Sequence, residues 1–140
     1  MIKTFAIVVL LSMIYTPSIA NDDTRELVKL PEIMQNHMLS NMRNHLVTIN
    51  EILAHMTNNE LGKAGELAEQ RLGMSSLGLH NAKHMAKFMP EGMQQTGTSM
   101  HKAASRFALK AEEGELAPAY KALQEITSAC VACHSAYRIH

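Results

Sequence analysis

The sequence predicts an all-α fold, an antiparallel bundle of four helices. Apolar residues recur at steps of three and four along most of the 140-residue chain, which is the spacing of one helix face. No run of alternating β-branched residues and no Asn-Gly or Asp-Gly pair indicates a hairpin. Breaks at Asn58, Gly73, Pro90 and Gly114 divide the pattern into four long segments with mostly short links, as in a helix bundle.

Proline and glycine set the expected helix ends. Pro31 and Pro118 suit the first turn of a helix, where the missing N–H costs nothing. Ser75 or Ser76 could cap a shorter helix that wraps one end of the bundle. The expected long helices span residues 31–57, 59–72, 91–113 and 115–139, and the shorter one spans 76–88. The inward face expected for the first helix comprises Met34, Met38, Met42, His45, Ile49, Ile52 and Met56, widened by Leu39, Leu46 and Leu53.

Residues 1–20 have the three parts of a secretory signal peptide. Lys3 provides the positive start, residues 5–14 are almost continuously apolar, and small residues lead up to Ala20. The apolar run is too short to span a bilayer, which takes about 20 residues. A mature domain over residues 21–140 is therefore expected to be exported to the periplasm as a soluble protein without a membrane anchor. An uncleaved anchor is the alternative.

Charge and motifs exclude several function classes. Lys plus Arg and Asp plus Glu both total 13, so loss of Lys3 with the signal peptide leaves one excess negative charge. Such a balance gives no reason to expect nucleic acid or an anionic membrane as a partner. The sequence contains no Gly-rich phosphate loop and no recognisable hydrolytic triad, so we do not expect an enzyme.

The only two cysteines form the motif that indicates chemistry. Cys130, Cys133 and His134 make a C-x-x-C-H pattern, which is typical of haem c attachment. Two intervening residues space the sulfurs to match the two haem vinyl groups, and the adjacent imidazole can bind the iron. A thioredoxin-type pair should follow a strand, a structural zinc site usually needs more thiolates, and a plain disulfide gives no role to His134. The motif therefore predicts one covalent haem c.

Residues 130–138 resemble the C-terminal motif of the cytochrome c′ family, the class II c-type cytochromes, which include low-spin members. The resemblance implies a four-helix bundle with haem attached to the last helix. By the same resemblance, Cys130 and Cys133 form the thioethers and His134 is the proximal iron ligand. Arg138 would lie near the haem, although a solvated basic last turn explains it equally well. Members of this family often pair through their first two helices, so a homodimer is possible.

The resemblance also implies that the distal residue comes from the first helix. A methionine there would give a six-coordinate electron carrier that serves redox protein partners, whereas an apolar residue would leave the iron open to nitric oxide or carbon monoxide. Met38 is the favoured candidate for the sixth ligand, followed by Met42 and Met34. The basic residue that the family often has four positions before the distal one is absent here, so the register is not fixed. His37 and His45 are further rivals.

Methionine and histidine are unusually abundant, with 11 and eight residues. Thioether and imidazole ligands suit copper, so copper handling is a third possible function. The alternative interpretation is methionine packing on haem with solvent-facing histidines. The second metal site would draw on the Met/His-rich segment 74–101, which contains His80, His84, Met85, Met89, Met93, Met100 and His101.

Overall fold

A computed structural model of the protein describes residues 23–140. The predicted signal peptide at 1–20 lies outside the described residues. Helices dominate the structure, which confirms the all-α class; two short strands are the exception. The helices are α1 (Glu32–Thr57), α2 (Leu61–Arg71), α3 (Ala82–Met85), α4 (Glu91–Glu112) and α5 (Leu116–Ala136), and the strands are β1 (Glu26–Leu27) and β2 (Tyr137–Arg138). No helix among the residues described is long and apolar enough to cross a membrane.

The segment between α2 and α4 is not the single short helix that the sequence predicted. It contains a 3-10 turn at Met74–Leu77, then α3, then a second 3-10 turn at Ala86–Phe88. Asn81 interrupts it with a left-handed φ of 51°, a conformation that asparagine tolerates better than most residues. Neither predicted serine caps a helix. The hydroxyl of the buried Ser76 instead donates to the carbonyl of Gly73 at 2.7 Å.

The C-terminus is extended where the sequence predicted helix. Helix α5 ends at Ala136, and β2 then pairs in parallel with β1, placing Glu26 opposite Tyr137. The Val28 amide extends the ladder by donating to the Arg138 carbonyl at 2.8 Å. The side-chain amide of Gln35 in α1 donates to the Ile139 carbonyl at 2.6 Å. These hydrogen bonds hold the segment before α1 against the residues that follow α5.

The helices pack in the order α1, α2, α4, α5. Gly65 of α2 brings that helix close to α4, because a Cβ atom there would lie 3.0 Å from the Ala108 carbonyl oxygen. The core is divided into two apolar clusters. The large cluster fills one end of the molecule and includes Ile52, Met56, Leu72, Phe107 and Ile126. The small cluster lies at the other end and is built on Val28, Met38, Met85 and Met93.

Part of the predicted inward face of α1 is exposed. Met38, Ile52 and Met56 are buried as predicted, whereas Leu46 is 72% and Leu53 is 39% exposed. Among its helical neighbours, α1 makes its main contact with α2. Leucines that point away from this contact therefore remain in solvent, and the buried stripe is narrower than the sequence predicted.

Candidate functional site

The C-x-x-C-H motif occupies the last two turns of α5. Cys130 and Cys133 are three residues apart, so their side chains lie on one face of the helix. Both cysteines are half-buried and neither is in a disulfide. Cys130 packs against the large cluster and Cys133 against the small one. Burial raises the pKa of both thiols, so they are protonated at neutral pH.

A cleft opens beside the end of α5, which we call the C-terminal cleft. Its volume is about 250 Å³. Cys133 and His134 line it from α5, Met38 and Met42 from α1, and Met93 from α4. Cys130 lies outside this lining, although it is one turn from Cys133. The structure thus places two of the motif residues and two of the α1 methionines around the same space.

The three candidate methionines of α1 have different surroundings. Met38 is buried at 9% exposure and, like Met42, lines both this cleft and a second one described below. Met34 packs against the small cluster but lines neither cleft. Of the three sequence candidates, Met38 and Met42 therefore share a cleft with His134, and Met34 does not.

Arg138 also lines the C-terminal cleft. Its Nε is buried and has no hydrogen-bond partner among residues 23–140, although Asp23 Oδ2 lies 3.5 Å away. Asp23 is held mainly by Arg25, whose hydrogen bonds lower the pKa of that carboxyl. Arg25 in turn donates from Nη1 to the His134 carbonyl at 3.4 Å. A buried guanidinium N–H without a partner is suited to an acidic group in the cleft.

A cluster of three histidines lies beside the second cleft, which we call the histidine cleft and which measures about 170 Å³. His45 of α1 and His80 approach with their Nε2 atoms 3.2 Å apart. The ring of His101 in α4 lies 5.2 Å from that of His80 and 6.3 Å from that of His45, between centroids. His84, which the sequence grouped with His80, is exposed and instead packs on Phe88.

Burial controls the charge of this cluster. It lowers the pKa of His45 to about 4 and that of His80 to about 4, and neighbouring imidazoles add to both effects. The pKa of His101 is also lowered by burial. All three rings are therefore neutral at pH 7, each with one protonated nitrogen and one nitrogen lone pair.

The His45–His80–His101 group was not predicted from the sequence. The periodicity did place His45 on the inward stripe of α1, which was the available signal. Its contact with His80 and His101 depends on how α1, α4 and the connecting segment meet. Among residues 23–140, no three His, Cys, Asp or Glu side chains are already arranged to hold a metal ion.

Comparison with known proteins found no matching protein family, curated protein or solved structure.

Proposed function

We propose that this protein is an exported electron-transfer cytochrome that carries one haem c on α5 and folds as an antiparallel four-helix bundle of the cytochrome c′ kind. The observation that supports it best is the position of the C-x-x-C-H motif. Cys133 and His134 line a cleft whose walls also carry Met38 and Met42. A covalent attachment point, an imidazole and thioethers therefore surround one space.

The cleft residues and the neighbouring Cys130, which lies outside the cleft lining, fit a haem in three respects. The thiols of Cys130 and Cys133 would each add across one vinyl group, forming a C–S bond and transferring the thiol hydrogen to the vinyl carbon. His134 would supply the proximal nitrogen. Arg138 Nε, which makes no hydrogen bond among residues 23–140 and lies 3.5 Å from Asp23 Oδ2, would donate to a propionate carboxylate. When bound, haem c supplies a one-electron Fe(III)/Fe(II) couple.

The chain around the cleft would hold these groups in place. Strands β1 and β2 fix the residues that follow the motif, and Arg25 restrains the His134 carbonyl. The apolar part of the cleft wall, which includes Met38, Leu39, Met42 and Met93, would pack on the haem face. The proposed partners are redox proteins, and the proposed location is the periplasm. The exposed Leu46 and Leu53 on α1 are compatible with a homodimer through α1 and α2.

Gas binding is the second candidate. It is favoured by the apolar character of the α1 wall, which would leave the iron open if no thioether reached it. Nitric oxide or carbon monoxide would then bind at the free position.

Absorption spectroscopy separates the two functions. For electron transfer we expect the oxidised protein to be low-spin, with the weak long-wavelength band typical of methionine-ligated ferric haem, and to be reduced reversibly. We expect carbon monoxide to bind slowly, because it must displace the thioether. A high-spin oxidised spectrum together with rapid carbon monoxide binding would contradict electron transfer and support gas binding.

A further inference from the structure

The histidine cluster lies outside the proposed haem-attachment motif and has a geometry of its own. His45, His80 and His101 come from α1, the segment before α3, and α4. His45 Nε2 and His80 Nε2 are 3.2 Å apart. Two nitrogens bound at about 2.0–2.1 Å to one ion are about 3.3–3.4 Å apart at a tetrahedral angle and about 3.5–3.6 Å apart at the trigonal angle of a three-ligand site. The two rings would therefore have to separate by a few tenths of an ångström to bind one ion. Without a metal, the observed spacing is a hydrogen bond in which one imidazole donates to the other.

The hydrogen bonds at the opposite ring nitrogens orient two of these imidazoles. His101 donates from Nδ1 to the Leu72 carbonyl at 2.6 Å. His80 Nδ1 lies 3.4 Å from Ser76 Oγ, whose hydrogen is already donated to the Gly73 carbonyl, so His80 is the donor to Ser76. His101 therefore keeps its Nε2 lone pair free, whereas the Nε2 lone pair of His80 accepts the Nε2 hydrogen of His45. Metal binding by both Nε2 atoms requires that hydrogen to move to Nδ1 of His45, which leaves the ring neutral. Metal-binding histidines are oriented by this kind of bond from the second nitrogen.

The backbone of His80 is fixed to α1 as well. Its carbonyl accepts from His37 Nε2 at 3.1 Å and from Asn41 Nδ2 at 3.4 Å. These contacts hold the connecting segment against the helix that carries His45. The approach of the two imidazoles is thus built from several polar contacts, not from ring packing alone.

Soft ligands surround the cluster. No carboxylate lines the histidine cleft within the described part of the chain. Thioethers and imidazoles select copper, and Cu(I) in particular, over magnesium, calcium or manganese. The methionines that line this cleft are Met38, Met42, Met85, Met89 and Met100.

We propose that His45 and His80 bind one Cu(I) ion, with a thioether of Met42 or Met100 as the third ligand. A thioether is the expected third ligand because methionines line the same cleft as the two imidazoles. The neutral state of both histidines at pH 7 is the state that binds a metal.

Anaerobic titration of the purified, exported protein with Cu(I) against a competing chelator tests this proposal. We expect one Cu(I) per chain. His45→Ala and His80→Ala should each weaken binding at least about 100-fold, and Ser76→Ala should weaken it about 10-fold or more by freeing the His80 ring. His84→Ala is the matched control, since this exposed histidine lies in the same segment, and it should bind Cu(I) like the parent.

Further variants exclude other sources of binding. The double variant Cys130→Ala/Cys133→Ala should keep its copper, which rules out the thiols and makes the result independent of haem. Met42→Leu combined with Met100→Leu should weaken Cu(I) but not Zn(II). Circular dichroism checks that each variant is folded. The proposal is overturned if folded His45 and His80 variants bind Cu(I) like the parent, if loss of the thiols abolishes binding, or if Zn(II) binds more tightly than Cu(I).

Discussion

At the scale of single residues, the sulfur of Met38 is the atom that most affects the proposed redox function. Met38 is buried and lines the C-terminal cleft with His134. Leucine has a side chain of similar volume. Met38→Leu should therefore fold with a loss of no more than about 1.5 kcal/mol. We expect it to convert low-spin iron to high-spin or water-ligated iron and to lower the reduction potential, because a thioether stabilises the ferrous state.

Two neighbouring methionines provide the comparison for this prediction. Met42→Leu tests whether the sixth ligand is instead the methionine one helical turn later, since Met42 also lines the cleft. Met34→Leu is the control, because Met34 lines neither cleft and should keep the parent spectrum. Absorption spectra and redox titration of the three variants measure the effect. If all three retain the parent spectrum, the sixth ligand is none of these three methionines.

Predictions for single residues were confirmed only where they depended on the periodicity of one helix. The periodicity placed Met38 inward on α1, and Met38 is buried. It grouped His84 with His80 because they are four residues apart, but Asn81 breaks the helix between them and His84 is exposed. The partner of His80 is His45, 35 residues earlier, and no local pattern encodes that contact.

At the scale of elements, the packing of α2 on α4 depends on a glycine. A Cβ atom at Gly65 would lie 3.0 Å from the Ala108 carbonyl oxygen and 3.1 Å from Ala111 Cβ, and helix backbone cannot easily move away. Overpacking costs about 1–3 kcal/mol, whereas Gly to Ala within a helix gains only about 0.5–1 kcal/mol. Gly65→Ala should therefore lower the free energy of unfolding by about 1–2 kcal/mol.

The same helix offers a matched control for this prediction. A Cβ atom at Gly62 would meet nothing within 4 Å, so Gly62→Ala should be neutral or stabilise by up to about 1 kcal/mol. Denaturant unfolding of both variants gives the comparison. Equal stabilisation by the two substitutions would show that α2 and α4 do not approach as closely as described.

Helix ends could be predicted from the sequence where a proline or a glycine lies next to them. Pro31, Pro90 and Gly114 flank α1, α4 and α5 within two residues of the predicted ends. Pro31 itself precedes α1 as its N-cap residue and is not in the first turn. Strands β1 and β2 were missed because each has two residues and forms only by pairing with a segment about 110 positions away. Such pairing leaves no periodicity in the sequence.

At the scale of the whole molecule, the all-α class follows from the periodicity, but the division of the core does not. The large cluster and the small cluster lie at opposite ends, and both clefts lie against the small one through Met38, Met42 and Met89. The sequence indicated a methionine-rich interior without showing that it stays partly open. Closely packed interiors are the norm, so this open end is the place that we propose for the haem.

Covalent attachment of haem is the central claim, and intact mass spectrometry under denaturing conditions tests it most directly. The full chain should be exported from a bacterial host that has a c-type cytochrome assembly system. We expect a polypeptide that begins near Asn21 and carries the added mass of one haem, with no thiol free to react with an alkylating reagent. Cys130→Ala/Cys133→Ala should lack that added mass. A parent chain without haem, with both thiols reactive, would contradict the account, as would a double variant that retains covalent haem.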